Sequence, residues 1–465
     1  MMSNRSASSA FLASSPICSL PSKAPRRGAL LVAAIAAPEA PQQAVSKELA
    51  DDDIVIVSAC RTALTRASKG GFKDTPPDDL VAAVLKETLA RTGVKAEEIG
   101  DVVVGSCLAP SAKRHIECRQ AMFEAGFPYT VPVATVNRQC ASGLQAIADI
   151  AGEIKLGTCR IGIAAGMEHM TSGGLDSWQG STNPRVEENQ WAKDCELPMG
   201  FTSENVAERF GVPREAQDKV AASSNAKAKA AQEAGKFKEE IVPVEVNWKD
   251  PVSGEVKKIT VDADDGIRPQ YTTPEKLKKL PAVFKKGGTT TVGNASQPPG
   301  QPPGQDALQV TDGAAAVMLT TRGEAKRRGL PILGTLRTYA VVGVEPAVMG
   351  IGPSEAVPKA LEQAGLQTED VAVFELNEAF GSQAAYVLRK LGLDEGPLAE
   401  RVNPNGGAIA LGHPIGCTGV RQTVTLLHEL NRRKDGKYGV VSMCTGTGMG
   451  AAAVFEYESA GGEGK

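Results

Sequence analysis

Apolar positions along this chain fall into two recurring patterns. From residue 51 the run DDDIVIVSACRTA reads as a buried strand, and Val81, Val84, Leu85 and Leu89 then recur at helical spacing until Gly93, where a helix would stop. A second buried strand, DVVVG, follows at 101–105. Strand, loop, helix and strand in this order predict an α/β unit around a mostly parallel sheet.

The same order returns far downstream. TGVKAEEIGDVVVG (92–105) lies over AGLQTEDVAVFELN (364–377) without a gap, matching glycine, acidic pair and apolar strand. TVNRQCASG then matches RVNPNGGAIALGH, and IGIAAG matches YGVVSMC. Three segments in shared order imply two similar α/β halves. Between them, about 173–290 is polar and carries Lys/Glu-rich helical stretches such as SSNAKAKAAQEAGKFKEE, which predicts an inserted loop domain belonging to neither sheet. QPPGQPPGQ, 297–305, suits neither helix nor strand interior and predicts an exposed loop. The chain thus divides into a leader at 1–50, a first domain at 51–328 that contains the loop domain, a second domain at 329–458 and a tail at 459–465.

Composition narrows the function. A net charge of −3, from 51 basic and 54 acidic side chains, provides no cationic face for nucleic acid. Nine cysteines without regular short spacing do not make a disulfide framework, and with four histidines and no CxxC there is little from which to build a metal site. Residues 1–38 contain no Asp or Glu and many Ser and Ala, which suits a transit peptide or a plain disordered tail. The run ALLVAAIAA is too short to span a bilayer, and no later segment is long enough.

Candidate chemistry gathers where equivalent segments of a duplicated fold should meet, at the strand ends. Cys140 precedes ASGLQAIADIA, at a helix N-terminus whose N–H groups and dipole favour a thiolate; a buried inert cysteine is the ordinary alternative. In GGAIALGHPIGCTG, 406–419, five glycines surround His413 and imply backbone packed close to something, where an imidazole could accept a thiol proton. SMCTGTGMGAAAVFEYE, 442–458, holds Cys444 among glycines, able to move a proton while nearby backbone N–H groups face an oxyanion. It is not a dinucleotide fingerprint, because AAAVFEYE alternates like a strand where a helix is needed. Asn377, in FELNEAF, leaves a strand end and could hold a water or merely cap a helix.

Together VNRQCASGLQAI, NEAFGSQ, GGAIALGHPIG and MCTGTGMGAAAVFEY resemble the thiolase family, in its plant-type peroxisomal 3-ketoacyl-CoA branch, over about residues 51–457. The resemblance implies a five-layered αβαβα fold of two similar halves with an inserted loop domain, usually a homodimer. It implies an acyltransferase that cleaves 3-oxoacyl-CoA with coenzyme A as second substrate, holds no permanent cofactor or metal, and works in fatty acid β-oxidation. Cys140 would be the nucleophile, His413 its base and Cys444 the second acid and base. One oxyanion site would combine His413 with a water on Asn377, the other the N–H groups of Cys140 and Gly446. Met199 and Ser296 would contact the pantetheine arm.

Departures from the family pattern are PPGQPPGQDALQ interposed after GNASQ, together with Pro404, Cys417 and Thr445. The nonapeptide peroxisomal address is degenerate in RRGALLVAA (26–34), so the family favours the peroxisome and the leader a chloroplast or mitochondrion. Cys195 precedes Met199 closely enough to suggest oxidative pairing with Cys140. Two rival functions keep the fold: an acetyl-CoA C-acetyltransferase running in the condensing direction, and a catalytically silent acyl-CoA-binding protein.

Overall fold

The computed structural model describes residues 49–108, 113–173, 183–296, 310–434 and 436–458. Residues 1–48, the tail at 459–465 and the segment 297–309, which contains the Pro/Gly tract and all of the interposed sequence, lie outside the described residues. The strands are β1 (Ile54–Thr62), β2 (Thr65–Arg66), β3 (Asp101–Gly105), β4 (Val133–Val136), β5 (Ile161–His169), β6 (Ile241–Val242), β7 (Val244–Lys249), β8 (Val256–Val261), β9 (Thr311–Thr321), β10 (Gly334–Gly343), β11 (Val371–Leu376), β12 (Tyr438–Thr445) and β13 (Met449–Glu456).

Two half-sheets repeat one topology. The first runs β4-β3-β5-β9-β1 and the second β11-β12-β13-β10, with Val402 bridging Phe374 where the first half has β4. In each half one strand runs antiparallel to the last strand of the parallel set: β9 against β5, and β13 against β12. The halves join through a short antiparallel contact, Val55 opposite Thr335 and Ile56 opposite Gly334.

Register tests the three sequence matches individually. Val102 pairs with Ile163 and Phe374 with Val440, as the first and third matches require. The second match is three residues out of step: Val102 pairs with Val133, not Val136, whereas Phe374 bridges Val402. The repeated Val-Asn pair drew the alignment, but the sheet follows hydrogen-bond register rather than identity.

Five layers follow from which face of each sheet is covered. The helices Pro77–Thr92 and Lys113–Glu124 pack on the outer face of the first half-sheet. Ser142–Leu156 and Thr418–Arg433 lie between the two half-sheets, and Gly352–Ala364 and Gly381–Lys390 cover the outer face of the second. A strand covered on both faces has no solvent side, so β5 is buried at all nine positions and reads as an apolar run from Ile161 to Met167. Gly93 ends its helix as the pattern predicts, with φ +66° and its N–H on the Leu89 carbonyl.

Between the halves, the Lys/Glu-rich stretch is helical only over its first part, 223–233, at the end of a helix Arg214–Glu233, and β7 and β8 form a separate hairpin. One expectation fails here. The inserted region does contribute to the first half-sheet, because β6 runs parallel to the end of β1, pairing Arg61 with Ile241. Arg61 is fully buried and ion-pairs with Glu240 just before β6, which draws the segment onto the sheet edge.

Candidate active site

Cys140 follows β4 on a tight turn. Gln139 takes φ +48°, an uncommon conformation for a side-chain-bearing residue, and Ser142 holds the turn: its hydroxyl donates to the Gln139 carbonyl (2.6 Å) and accepts from the Arg138 N–H (2.9 Å). The following helix starts at Ser142, with Ala141 as its cap. Gly446, from the loop after β12, brings its N–H to the Cys140 sulfur, and the N–H of Cys140 itself also faces that sulfur.

The thiol is nonetheless not a resting thiolate. Burial pushes Cys140 up to about 12, outweighing the two N–H groups, and the buried Glu168 carboxylate adds to the rise. The helix N-terminus was expected to favour the anion; removal from water is the larger effect. Cys444, at the end of β12 and fully buried, is held well above the usual thiol range by burial and next by the charge Cys140 would carry as a thiolate. The two sulfurs therefore disfavour simultaneous ionisation.

His413 is fully buried on the loop between Ala408–Leu411 and the Thr418–Arg433 helix, directly after Gly412 at φ +107°. Its Nε2 lies 3.3 Å from Asn377 Nδ2, its Nδ1 2.5 Å from Thr418 Oγ1, and its backbone N–H donates to Thr311 Oγ1. Burial lowers it to about 3, helped by the nearby Arg421 cation, so the imidazole is neutral. Asn377 leaves β11 with its N–H on the Ser442 carbonyl, and its buried Oδ1 has no hydrogen-bond partner among the described residues.

What brings the His413 loop to Cys140 is glycine and one carboxylate. A Cβ on Gly416 would come 2.5 Å from Ser106 Cα, and one on Gly419 would collide with the backbone nitrogen of Leu144. Glu168, on β5, accepts from Ser106 Oγ, Cys107 N, Leu108 N and Gly416 N at 2.9 to 3.1 Å, tying the loop after β3 to the His413 loop. Glu168, Thr311 and Thr418 were not singled out from the sequence. The available signal for Glu168 was a carboxylate inside the otherwise apolar run IGIAAGMEH.

Met199 starts the Met199–Arg209 helix and packs with Phe284 against Ala295, Met349, Ala379, Phe380 and Cys444. Ser296 is fully buried, its hydroxyl donating to the Ala379 carbonyl at 3.0 Å. Cys195 lies against the Gly446 loop, its thiol 3.8 Å from the Thr447 carbonyl. A cavity of about 770 Å³ opens beside Ala295, lined by Arg66, Arg268, Lys276, Tyr271 and Val292 among others. No His, Cys, Asp or Glu cluster among the described residues has the arrangement of a metal site, and no described helix is long and apolar enough to cross a membrane.

Two half-sheets of one topology that together present two cysteines, a neutral histidine and converging backbone N–H groups define a protein built for acyl transfer through a thiol. Residues 54–323 match the thiolase N-terminal domain model and residues 330–457 the thiolase C-terminal domain model. The chain belongs to the thiolase family. It is 56% identical over 406 residues to 3-ketoacyl-CoA thiolase 2, peroxisomal, of Arabidopsis thaliana, covering 87% of this chain and 84% of that relative. To 3-ketoacyl-CoA thiolase A, peroxisomal, of Mus musculus it is 53% identical over 418 residues, 90% of this chain and 94% of the relative. The dimeric peroxisomal thiolase of Saccharomyces cerevisiae superposes with a TM-score of 0.78 at 42% identity, covering 89% of this chain and 99% of that one. A further structure of the yeast peroxisomal enzyme is described as a five-layered structure of two core domains of identical topology, which the layers above match.

Proposed function

We propose that this chain cleaves 3-oxoacyl-CoA thiolytically, releasing acetyl-CoA and passing the shortened acyl group to a second coenzyme A, in peroxisomal fatty acid β-oxidation. The observation that carries the reading is the meeting at the Cys140 sulfur of its own N–H and the Gly446 N–H, with Cys444 near enough for a charge on Cys140 to raise its thiol.

In the first step the Cys140 thiol gives its proton to His413 while its sulfur bonds to the 3-keto carbon. The resulting oxyanion faces the N–H groups of Cys140 and Gly446. Collapse breaks the bond between C2 and C3. The departing acetyl-CoA enolate takes a proton from Cys444 and rests its oxygen on His413 and on a water. Asn377 suits that water, because its orphaned Oδ1 accepts one hydrogen and leaves the other for the enolate oxygen. In the second step Cys444 takes the thiol proton of incoming coenzyme A. The coenzyme A sulfur attacks the thioester, and Cys140 leaves and recovers its proton from His413.

Met199 suits the pantetheine arm because it packs onto the apolar cluster around Cys444. Ser296 can meet the arm only as an acceptor, its proton being committed to Ala379. The adjoining cavity, with Arg66, Arg268 and Lys276, fits the phosphates of the nucleotide end. No permanently bound cofactor enters these steps.

A homodimer is supported by the dimeric yeast relative and by an open sheet edge. β4 ends the first half-sheet with Ala134 and Thr135 exposed, and Ile116, Phe123 and Tyr129 are exposed on and just after the helix beside it. The peroxisomal placement is supported by the relatives from plant and mouse. Condensation of two acetyl-CoA is the same chemistry reversed, but the Bacillus anthracis acetyl-CoA acetyltransferase is only 34% identical against 56% for the plant thiolase. A silent binding protein would have no use for the complete set of thiols, imidazole and amide.

The test is mass spectrometry after incubation with acetoacetyl-CoA. An acetyl group on Cys140 is expected, and Cys140→Ala should lose both the adduct and more than about 10³-fold of turnover. Undiminished cleavage by Cys140→Ala would falsify the assignment.

A further inference from the structure

We infer that Thr418 is a positioning residue that fixes His413 in the tautomer carrying its proton on Nδ1, so that Nε2 is the nitrogen able to take a proton. The inference rests on the thiolytic reading above and concerns a side chain to which that reading gives no step.

A neutral imidazole has one N–H, and its partners decide where that proton resides. His413 Nδ1 faces Thr418 Oγ1 at 2.5 Å, and a hydroxyl can either donate or accept there. Thr418 Oγ1 is also 3.1 Å from the Pro414 carbonyl, which only accepts, so the single hydroxyl proton is committed to Pro414. The hydroxyl therefore offers His413 a lone pair, and Nδ1 must carry the proton.

The other side of the ring agrees independently. Nε2 faces Asn377 Nδ2 at 3.3 Å, and an amide nitrogen only donates. With the proton on Nε2 instead, two donors would meet at Asn377, and the Thr418 hydroxyl, turned toward Nδ1, would set its lone pairs against the Pro414 carbonyl. Both contacts select the same tautomer.

The arrangement is local by construction. Thr418 is the first residue of the Thr418–Arg433 helix, its own N–H also bonds the Pro414 carbonyl at 3.0 Å, and the side chain is fully buried. The turn from His413 to Thr418 thus returns the hydroxyl to the ring that begins it. Thr423 and Thr425 on the same helix bond elsewhere, to Gly419 O and Glu240.

Thr418→Val keeps the shape and removes the hydroxyl, whereas Thr418→Ser keeps the hydroxyl and removes the methyl. With acetoacetyl-CoA we expect Thr418→Val to lose about 10²-fold in kcat with KM for coenzyme A unchanged, and Thr418→Ser to retain kcat within about threefold. Long-range ¹H–¹⁵N spectra of histidine-labelled protein, with His413 assigned by its loss in His413→Asn, should show wild-type His413 neutral and protonated on Nδ1. Wild-type His413 protonated on Nε2 overturns the inference without any variant. Equal kcat for wild type and Thr418→Val overturns it, and so does a folded Thr418→Ser impaired as badly as Thr418→Val. Failure of the wild-type protein itself to cleave acetoacetyl-CoA would instead sink the underlying functional reading.

Discussion

The Gly416 N–H donates to Glu168 Oε2 across 3.0 Å, joining positions 248 residues apart. Through this bond β5 of the first half holds the loop that carries His413 from the second. The carboxylate is fully buried, and burial raises it while Arg114 and its N–H partners oppose the rise.

Glu168→Gln preserves size but replaces one four-donor acceptor group by an amide whose NH2 must face N–H groups. Stability should fall by about 2 kcal/mol in urea titrations. Because the His413 loop is displaced, kcat should fall by about 10–100-fold in steady-state assays. A kcat unchanged alongside the stability loss would show that Glu168 supports the fold only.

Gly419→Ala tests the close approach of the two central helices. The added methyl meets the backbone of Leu144, which cannot rotate away. Thermal unfolding should register a loss of about 1–3 kcal/mol, with the alanine variant losing activity ahead of secondary structure as temperature rises.

The reactivity of Cys140 should climb steadily with pH. With the thiol pushed up to about 12 and His413 lowered to about 3, neither ionises near neutrality. Carboxamidomethylation of Cys140 by iodoacetamide should rise about tenfold per pH unit between about pH 6 and pH 9. A plateau reached near neutrality would mean a resting thiolate–imidazolium pair.

Stability should fall in acid through His413. Its folded value, about 3, is below the ordinary 6.5, so the unfolded chain binds the extra proton first as pH drops. Its contribution is complete above 6.5 and is lost progressively down to about 3. Between neutrality and about pH 5 that is about 2 kcal/mol, measurable by urea unfolding and removed in His413→Asn.

The fold was legible wherever burial writes itself into a continuous apolar run. DVVVG and VAVFEL announce β3 and β11 because helices cover both faces, and Gly93 marks its helix end because only a left-handed residue closes it. The second half's partner for β4 was mislaid by three residues because a single bridge at Val402 leaves too little pattern to fix register. Cys140, Asn377, His413, Cys444 and Gly446 stood out in sequence as motif residues. Glu168 and Thr418 did not, since one acts across 248 residues and the other through the direction of a hydroxyl proton. Nor could sequence weigh a helix terminus against the complete burial of the Cys140 sulfur.

The duplicated strand order divides the groups of the proposed reaction unequally. Cys140 comes from the first half, whereas Asn377, His413, Cys444 and Gly446 come from the second. On the proposed mechanism either half alone would be chemically mute, an attacking sulfur without its proton acceptor or the reverse. Fusion into one polypeptide makes their meeting intramolecular, so dilution of the protein cannot separate nucleophile from base.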